Sequence, residues 1–183
     1  MPNWDKVKTK NNYKADEIIS LLQKAIRRGE EELAVFAAYE MLITSDELAD
    51  KCWQRLRVIA TEDIGLANPD VVPQVMAAHD SYKLLHPKED KNLHAIFATV
   101  LLARSPKSRY IDELYNNLKQ KVSEEKYRVE IPDYAIDKHT EKGEELGRGH
   151  KHFWEVAARL KNDMSEHEKG HLAEILARLE DEK

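Results

Sequence analysis

The stretch WQRLRVIATEDIGLANP, residues 53–69, predicts an amphipathic helix that stops sharply before a second helix begins. Apolar residues recur there at helical spacing and form one stripe that faces a core. The stripe consists of Ala49, Cys52, Trp53, Leu56, Ile59 and Ala60. We expect Gly65 to end the helix in a left-handed conformation, with Leu66 folding back as its apolar contact. Asn68 and Pro69 are then suited to start the next helix.

Two carboxylates, Glu62 and Asp63, fall in the last turn of this predicted helix. They lie at the negative end of the helix dipole, which costs about 0.3–1 kcal/mol each unless a cation is close. Arg104, Lys107 and Arg109 follow a predicted buried helix with no acid between them. We expect these cations to form ion pairs with the two carboxylates. An internal ion network and a binding surface are both consistent with the pattern.

The composition predicts a helical, intracellular protein. The chain has 183 residues, of which 42% are hydrophobic, with six glycines and six prolines. Its single cysteine, Cys52, lies on the apolar side of a helix and is expected to be a buried small residue rather than a disulfide partner. The sequence has no apolar run of membrane-spanning length and no signal peptide at its start, so we expect a cytoplasmic protein. A net charge of -5 argues against coating nucleic acid by charge alone.

Helical periodicity extends along most of the chain, and no strand pattern occurs. Residues 15–28 predict a first helix that Gly29 ends, and residues 30–43 predict a second. Residues 95–103, AIFATVLLA, are apolar nearly all the way round, which predicts a core helix buried on several sides. The predicted fold class is therefore all-α, a compact multi-helix domain.

Residues 133–155 form an unusual polar stretch. Asp133, Asp137 and His139 surround three apolar residues, and Arg148 lies between two glycines. A Gly-Arg-Gly sequence permits close backbone approach and can form a small anion-binding nest. We predict a nucleic-acid or partner contact made by four cations and supported by a polar cluster. The contact residues are Arg104, Lys107, Arg109 and Arg148, and the supporting residues are Glu62, Asp63, Asp133, Asp137 and His139.

One alternative function comes from His167, Glu168 and His171, which match the HExxH pattern of zinc hydrolases. In such enzymes two histidines one helical turn apart bind the metal and the glutamate activates water. Lys169 and Gly170 are poor choices for a buried helix, and no convincing third ligand follows. We therefore favour a capped surface helix over a zinc-dependent hydrolase.

A second group of histidines is another candidate metal site. His139, His150 and His152, with Asp137 nearby, supply enough ligands in principle. A polar cluster of this size more often joins loops by hydrogen bonds. We predict no metal, no cofactor and no catalytic residues.

Four segments together resemble the C-terminal domain of the RarA/MgsA family of AAA-type ATPases. They are IRRG (26–29), RLRVIATEDIGLANP (55–69), LLARSPKSR (101–109) and the IPD to LGRG run (131–149). The resemblance implies an all-helical domain that is similar to the collar of clamp loaders. In this family the domain follows an ATPase core and holds the enzyme as a tetramer that acts at stalled replication forks.

Three parts are expected: a polar, flexible N-terminal segment at 1–14, the helical domain that the resemblance covers at 15–155, and extra C-terminal helices at 156–183 that pack on the same domain. The sequence departs from the family because it has no GxxxxGK[ST] phosphate loop and no acidic magnesium motif. ATP hydrolysis is therefore not expected to carry over. Its end also differs, since HKHFWE and two predicted helices stand where the family closes with a short tail.

These observations predict a stand-alone, non-catalytic oligomerisation or adaptor module that acts in DNA replication or repair. Residues 1–28 carry an excess of basic side chains and residues 163–183 an excess of acidic ones. Together with the tetramer of the similar family, this predicts a homo-oligomer, a tetramer or a dimer. DNA or a replication or repair protein is the expected partner, and no membrane is expected.

Overall fold

The computed structural model describes residues 3–85, 90–124, 127–161 and 166–181, with the side chains of 166–169 and 181 outside the description. Within these ranges the regular structure is helical, apart from one antiparallel bridge between Lys8 and Lys14, so the predicted all-α class is confirmed. The α-helices are α1 (Ala15–Arg28), α2 (Glu31–Thr44), α3 (Asp46–Ile59), α4 (Val71–Leu84), α5 (Asn92–Arg104), α6 (Tyr110–Ser123), α7 (Glu141–Glu145), α8 (His150–His152) and α9 (Glu166–Asp181). None of the helices in these ranges is long and apolar enough to cross a membrane.

The chain divides into two compact units, residues 1–125 and 126–183. Helices α1 to α6 belong to the first unit, and α7 to α9 belong to the second. The domain boundaries predicted after residues 14 and 155 stay predictions.

The core of the first unit lies where α1, α2, α3, α4 and α5 meet. Its largest fully buried side chains include Leu22, Ile26, Met41, Trp53, Leu56 and Leu102. Helix α5 packs against the other four, as its apolar sequence predicted. The predicted burial on several sides is confirmed by these contacts, although one face stays open: Phe97 is 53% exposed, and Leu93, just before the predicted stretch, is exposed as well.

The helical pitch changes within residues 53–69, where α3 ends. Helix α3 runs into a π-helical turn, Ala60–Ile64, and then a 3-10 turn, Gly65–Ala67. Gly65 has the predicted positive φ of 47°, but its ψ of -123° differs from the left-handed helical conformation. The predicted contact of Leu66 is wrong, since that side chain is exposed. A π-turn holds more residues than an α-turn, so it shifts which side chains face inward, and here it buries Asp63.

The N-terminal segment is held to α2 by hydrogen bonds. The backbone N–H of Asn11 donates to Glu40 Oε1 at 2.9 Å, and the Asn11 side-chain amide donates to Glu40 Oε2 at 2.6 Å. The backbone N–H of Lys10 also donates to Thr44 Oγ1 at 3.0 Å. Glu40 is buried, so these donors satisfy a carboxylate that would otherwise be costly. The flexibility predicted for residues 1–14 stays a prediction about motion.

The second unit is built from short helical pieces joined by turns. The side chain of Thr140 caps α7 by accepting a hydrogen bond from the N–H of Gly143 at 3.0 Å. Helix α8 passes directly into a π-helical turn, Phe153–Ala157. Lys151 and Glu180 form an ion pair at 3.0 Å, which ties α8 to α9.

Candidate functional site

The first unit contains a charge cluster around Asp63. We define it by the carboxylates Glu62 and Asp63 and the guanidinium groups of Arg27, Arg55 and Arg109. The Asp63 side chain has no exposed surface, and its Oδ1 accepts from Arg27 Nε at 2.6 Å and from Arg109 Nη1 at 3.0 Å. A fully buried carboxylate is stable only when it is paired and hydrogen-bonded, and both conditions are met here.

Glu62 forms the more open side of the charge cluster. Its Oε1 accepts from Arg27 Nη2 at 3.2 Å and from Arg109 Nη1 at 3.3 Å, and its Oε2 lies 3.9 Å from Arg55 Nη2. Gln23 Nε2 donates to Glu62 Oε1 at 2.8 Å and to Asp63 Oδ2 at 3.1 Å, while its carbonyl accepts from Arg55. The cluster therefore joins α1, α3 and the segment before α6.

Arg109 links the charge cluster to the start of α6. Its Nη2 donates to Asp112, and the neighbouring Ser108 N–H donates to the backbone carbonyl of Asp63 at 2.9 Å. Burial alone would lower the pKa of Arg109, but the hydrogen bond to Asp63, the charge of Asp112 and the hydrogen bond to Glu62 outweigh it and raise the pKa. Arg109 is therefore a permanent cation that fixes where α6 begins.

The other two members of the predicted basic group lie apart from the carboxylates. Lys107 Nζ donates to the carbonyls of Leu102 at 3.1 Å, Ala103 at 2.8 Å and Ser105, and so caps the C-terminus of α5. Burial lowers the pKa of Lys107, and the charge of Asp63 opposes that shift in part. Arg104 is 72% exposed and binds Glu31 through two hydrogen bonds of 2.6 and 3.0 Å. Of the predicted basic group, Arg109 forms hydrogen bonds with both acids.

Sequence reasoning missed Gln23, Arg27 and Arg55 as partners of the acidic pair. Arg27 lies in the IRRG segment and Arg55 opens the RLRVIATEDIG segment, so both were inside stretches that stood out. Gln23 and Arg27 lie 35 to 40 positions from the two acids, a pairing that periodicity does not reveal. Arg55 lies seven residues before Glu62, so the helical spacing could have indicated that pair.

The remaining predicted site residues form a second set, within residues 126–183. Arg148 Nη1 donates to the backbone carbonyls of Asp133, at 3.0 Å, and Ile136, and its Nη2 donates to the Asp133 carboxylate. The Asp137 carboxylate accepts from the His139 backbone N–H at 3.0 Å and lies 3.1 Å from His139 Nδ1. The hydrogen bond from Arg148 lowers the pKa of Asp133, and those from His139 lower the pKa of Asp137. Arg148 therefore forms its hydrogen bonds within its own loop, with Asp133 and Ile136.

Residues 30–170 match the family described as MgsA AAA+ ATPase C terminal. The chain belongs to this family. A curated relative from Haemophilus influenzae, "Replication-associated recombination protein A", is 28% identical over 138 residues, covering 73% of this chain and 29% of the relative. The protein of the same name from Bacillus subtilis is 32% identical over 138 residues, covering 73% of this chain and 31% of its own length. This chain thus spans about three-tenths of the length of these relatives.

The MgsA C-terminal match contains most of the charge cluster. Arg55, Glu62, Asp63 and Arg109 fall within residues 30–170, whereas Arg27 on α1 precedes the matched range. The cluster therefore connects the matched part of the chain to α1.

The metal predictions concern residues on this MgsA-type domain and its last helix. In the part of the chain that the structure describes, no three His, Cys, Asp or Glu side chains are grouped closely enough to hold a metal ion. The side chains of His167 and Glu168 lie outside the described residues, although α9 places both residues and His171 on one helix. The HExxH alternative therefore stays a prediction, which zinc analysis of the purified chain and of His167→Ala can test.

Proposed function

We propose that this chain is a non-catalytic oligomerisation or adaptor module that acts in DNA replication or repair. Its membership of the MgsA AAA+ ATPase C-terminal family supports the proposal, as do relatives named for replication-associated recombination. The expected assembly is a homotetramer or homodimer, with DNA or a replication or repair protein as partner.

The observation that carries the proposal is the distribution of side-chain size on α2 and α5. The face that α2 turns to the core uses mostly small residues, Ala34, Ala37 and Ala38 with Met41, while its outer face exposes Leu33, Phe36 and Tyr39. Helix α5 repeats the pattern. It buries Ala95, Ala98 and Ala103 together with Thr99 and Leu102, and it exposes Leu93 and Phe97.

This arrangement lets α2 and α5 approach each other closely but leaves large apolar groups in water. A helix that is apolar all round is normally buried all round. Concentrated exposed aromatic surface on a folded domain marks an interaction site, and aromatic residues are enriched in protein interfaces. We infer that the outer faces of α2 and α5 contact another copy of this chain.

Light scattering after size-exclusion chromatography tests the assembly. We expect a mass of two or four chains at micromolar concentration, and a smaller species for Phe97→Glu with unchanged helical circular dichroism. The matched control is Leu84→Glu, which changes an equally apolar and more exposed residue at the end of α4. A wild-type monomer at every concentration and salt would overturn the proposed function. Equal assembled masses for the two variants would show that the outer faces of α2 and α5 do not form the interface.

The proposed contact with DNA is a separate step. Among its four cations, Arg104 offers the guanidinium that is most open to solvent. Each phosphate contact that is lost should reduce the salt dependence of binding by about one unit of slope. We expect Arg104→Ala to weaken binding to labelled forked DNA in fluorescence anisotropy, relative to Lys83→Ala on α4. Lys83 is the control because it is also exposed and also paired with an acid. Identical affinities and slopes would contradict the contact.

A further inference from the structure

Helix α6 is amphipathic, yet none of its residues is buried. Its apolar residues, which we call the α6 stripe, are Ile111, Leu114, Tyr115, Leu118 and Val122. The last four of these side chains are between 46% and 63% exposed. A 14-residue helix is marginal in water without packing of its apolar face. The α6 stripe therefore needs another apolar surface to pack against.

The N-terminal end of α6 is held in a fixed position. Arg109 binds Asp63, and the Ser108 N–H donates to the Asp63 carbonyl at 2.9 Å. Close packing of the same end is shown at Gly65, where an added Cβ would lie 3.7 Å from Cγ1 of Ile111. The charge cluster thus orients the α6 stripe instead of leaving it on a loose helix.

An open groove runs beside the α6 stripe, with a volume of about 580 Å³. Arg57, Val58 and Thr61 line it from α3 and its π-turn, and Ile111 and Tyr115 line it from α6. Since Ile111 and Tyr115 belong to both features, the groove is continuous with the stripe. A second helix laid on the stripe would also contact the groove.

The charges on α6 fit a second α6 that runs in the opposite direction. Asp112 and Lys119 are seven residues apart, so they lie on the same edge of the stripe at 3.6 residues per turn. When two antiparallel helices are related by a two-fold axis, like edges face each other. Asp112 then lies beside Lys119 of the partner subunit, and the pair occurs twice. Asp112 also accepts from Arg109 and from Asn116, but a carboxylate has about four acceptor positions, which leaves room for a further donor.

We propose that the α6 stripe pairs with α6 of a second copy of this chain, antiparallel, about a two-fold axis near Asn116. The inference rests on the proposed self-association and adds the residues and direction of one interface. A tetramer with two-fold symmetry uses two different self-complementary surfaces. The outer faces of α2 and α5 supply one of them, and the α6 stripe supplies the other.

Cysteine cross-linking of the full chain tests both the contact and its direction. Wild-type protein should show little background cross-linking, because Cys52 is buried and burial raises the pKa of its thiol to about 12. At 1.5 Å per residue, Tyr115→Cys would lie about 3 Å along the axis from its symmetry mate, within reach of a disulfide. Val122→Cys would lie about 18 Å away and beyond reach. Leu118→Glu, with α-helical content checked by circular dichroism, tests the stripe without a disulfide.

We expect oxidation to convert most of the Tyr115→Cys protein to a covalent dimer, with Val122→Cys and wild type staying at background. Leu118→Glu should reduce the assembled mass at least twofold at micromolar concentration. Strong cross-linking of Val122→Cys would overturn the antiparallel arrangement. If wild type assembles by light scattering but Tyr115→Cys stays uncross-linked and Leu118→Glu assembles normally, the α6 contact is wrong while the proposed function stands. If wild type is monomeric, both fail.

Discussion

Asp63 in the charge cluster and Asp133 in the second unit are both bound by arginine, yet their exposures are opposite. The Asp63 side chain is completely buried and its arginine partners reach solvent. The Asp133 side chain is 68% exposed, whereas its partner Arg148 is only 18% exposed. In each pair the buried member depends on its partners, because an unpaired buried charge is costly and an exposed charge is solvated by water. The fold should therefore be sensitive to loss of the arginines that pair with Asp63, whereas Asp133 stays solvated when its arginine is lost.

The largest expected effect is that of Arg27→Ala, which takes from the buried Asp63 carboxylate the guanidinium that lies 2.6 Å from its Oδ1. Removing one partner of a buried ion pair costs about 3 kcal/mol, which corresponds to a fall in Tm of roughly 6–12 °C for a chain of this size. Thermal unfolding followed by circular dichroism measures it. Glu62→Ala is the matched control, since Glu62 is partly exposed, and it should lower Tm by less. Equal Tm values for the two variants would contradict the role of burial.

Glu40 sharpens the comparison, because it is a buried carboxylate bound by neutral donors. Burial raises its pKa, but hydrogen bonds from Thr9 and Asn11 outweigh burial, and the net pKa lies below 4.5. Glu40→Ala should lower the free energy of unfolding at pH 7 by about 2 kcal/mol.

The same shift fixes the sign of the pH dependence. A carboxylate with a lowered pKa in the folded state stabilises the fold above its unfolded value and loses that contribution as pH falls through the folded value. The difference in Tm between wild type and Glu40→Ala should therefore shrink on acidification below pH 4.5. A difference that grows in acid would contradict the assignment.

An intermediate effect is expected for Arg148→Ala, the buried member of the second pair. It leaves the carbonyls of Asp133 and Ile136 without a donor, which should cost about 1–2 kcal/mol locally. Amide hydrogen exchange around residues 133–148 should speed up by roughly tenfold. Asp133→Asn should leave exchange close to wild type, because the two carbonyl acceptors remain. The reverse order would show that the carboxylate holds the loop.

The smallest effect is expected at the exposed pair of Arg104 and Glu31. Its arginine is 72% exposed, so Arg104→Ala should leave Tm within the scatter of replicate melts. The hydrogen bond from Arg104 lowers the pKa of Glu31, so the variant should return that pKa toward its ordinary value. An NMR titration of Glu31 gives the measurement, and a clear loss of Tm would place this pair with the buried cluster.

Local features of the first unit could be predicted because they depend on neighbours in sequence. The first helix ends at Gly29, whose φ of 72° requires a residue that tolerates positive φ, as the sequence indicated. The need of Glu62 and Asp63 for cations also followed from their place at a helix end. Leu66 failed as a predicted contact because the π-turn changes the direction in which the chain leaves α3.

The identity of the partners could not be predicted in the same way. Arg104, Lys107 and Arg109 share one short segment, yet one binds Glu31, one caps α5 and one joins the charge cluster. A separation of two to five residues along this turn is enough to send these side chains in different directions. Their functions depend on which helix lies nearby, and that depends on packing.

The sequence by itself determined the all-α class, the family, the ends of the clearest helices and the demand for cations beside two acids. These properties rest on periodicity, backbone conformation and the helix dipole, all of which act over a few residues. The tertiary structure decided that Arg27 completes the charge cluster, that Asp63 is its buried member, and that the α6 stripe stays exposed. Burial and ion pairing join residues far apart in the chain, so only the packed arrangement of helices specifies them.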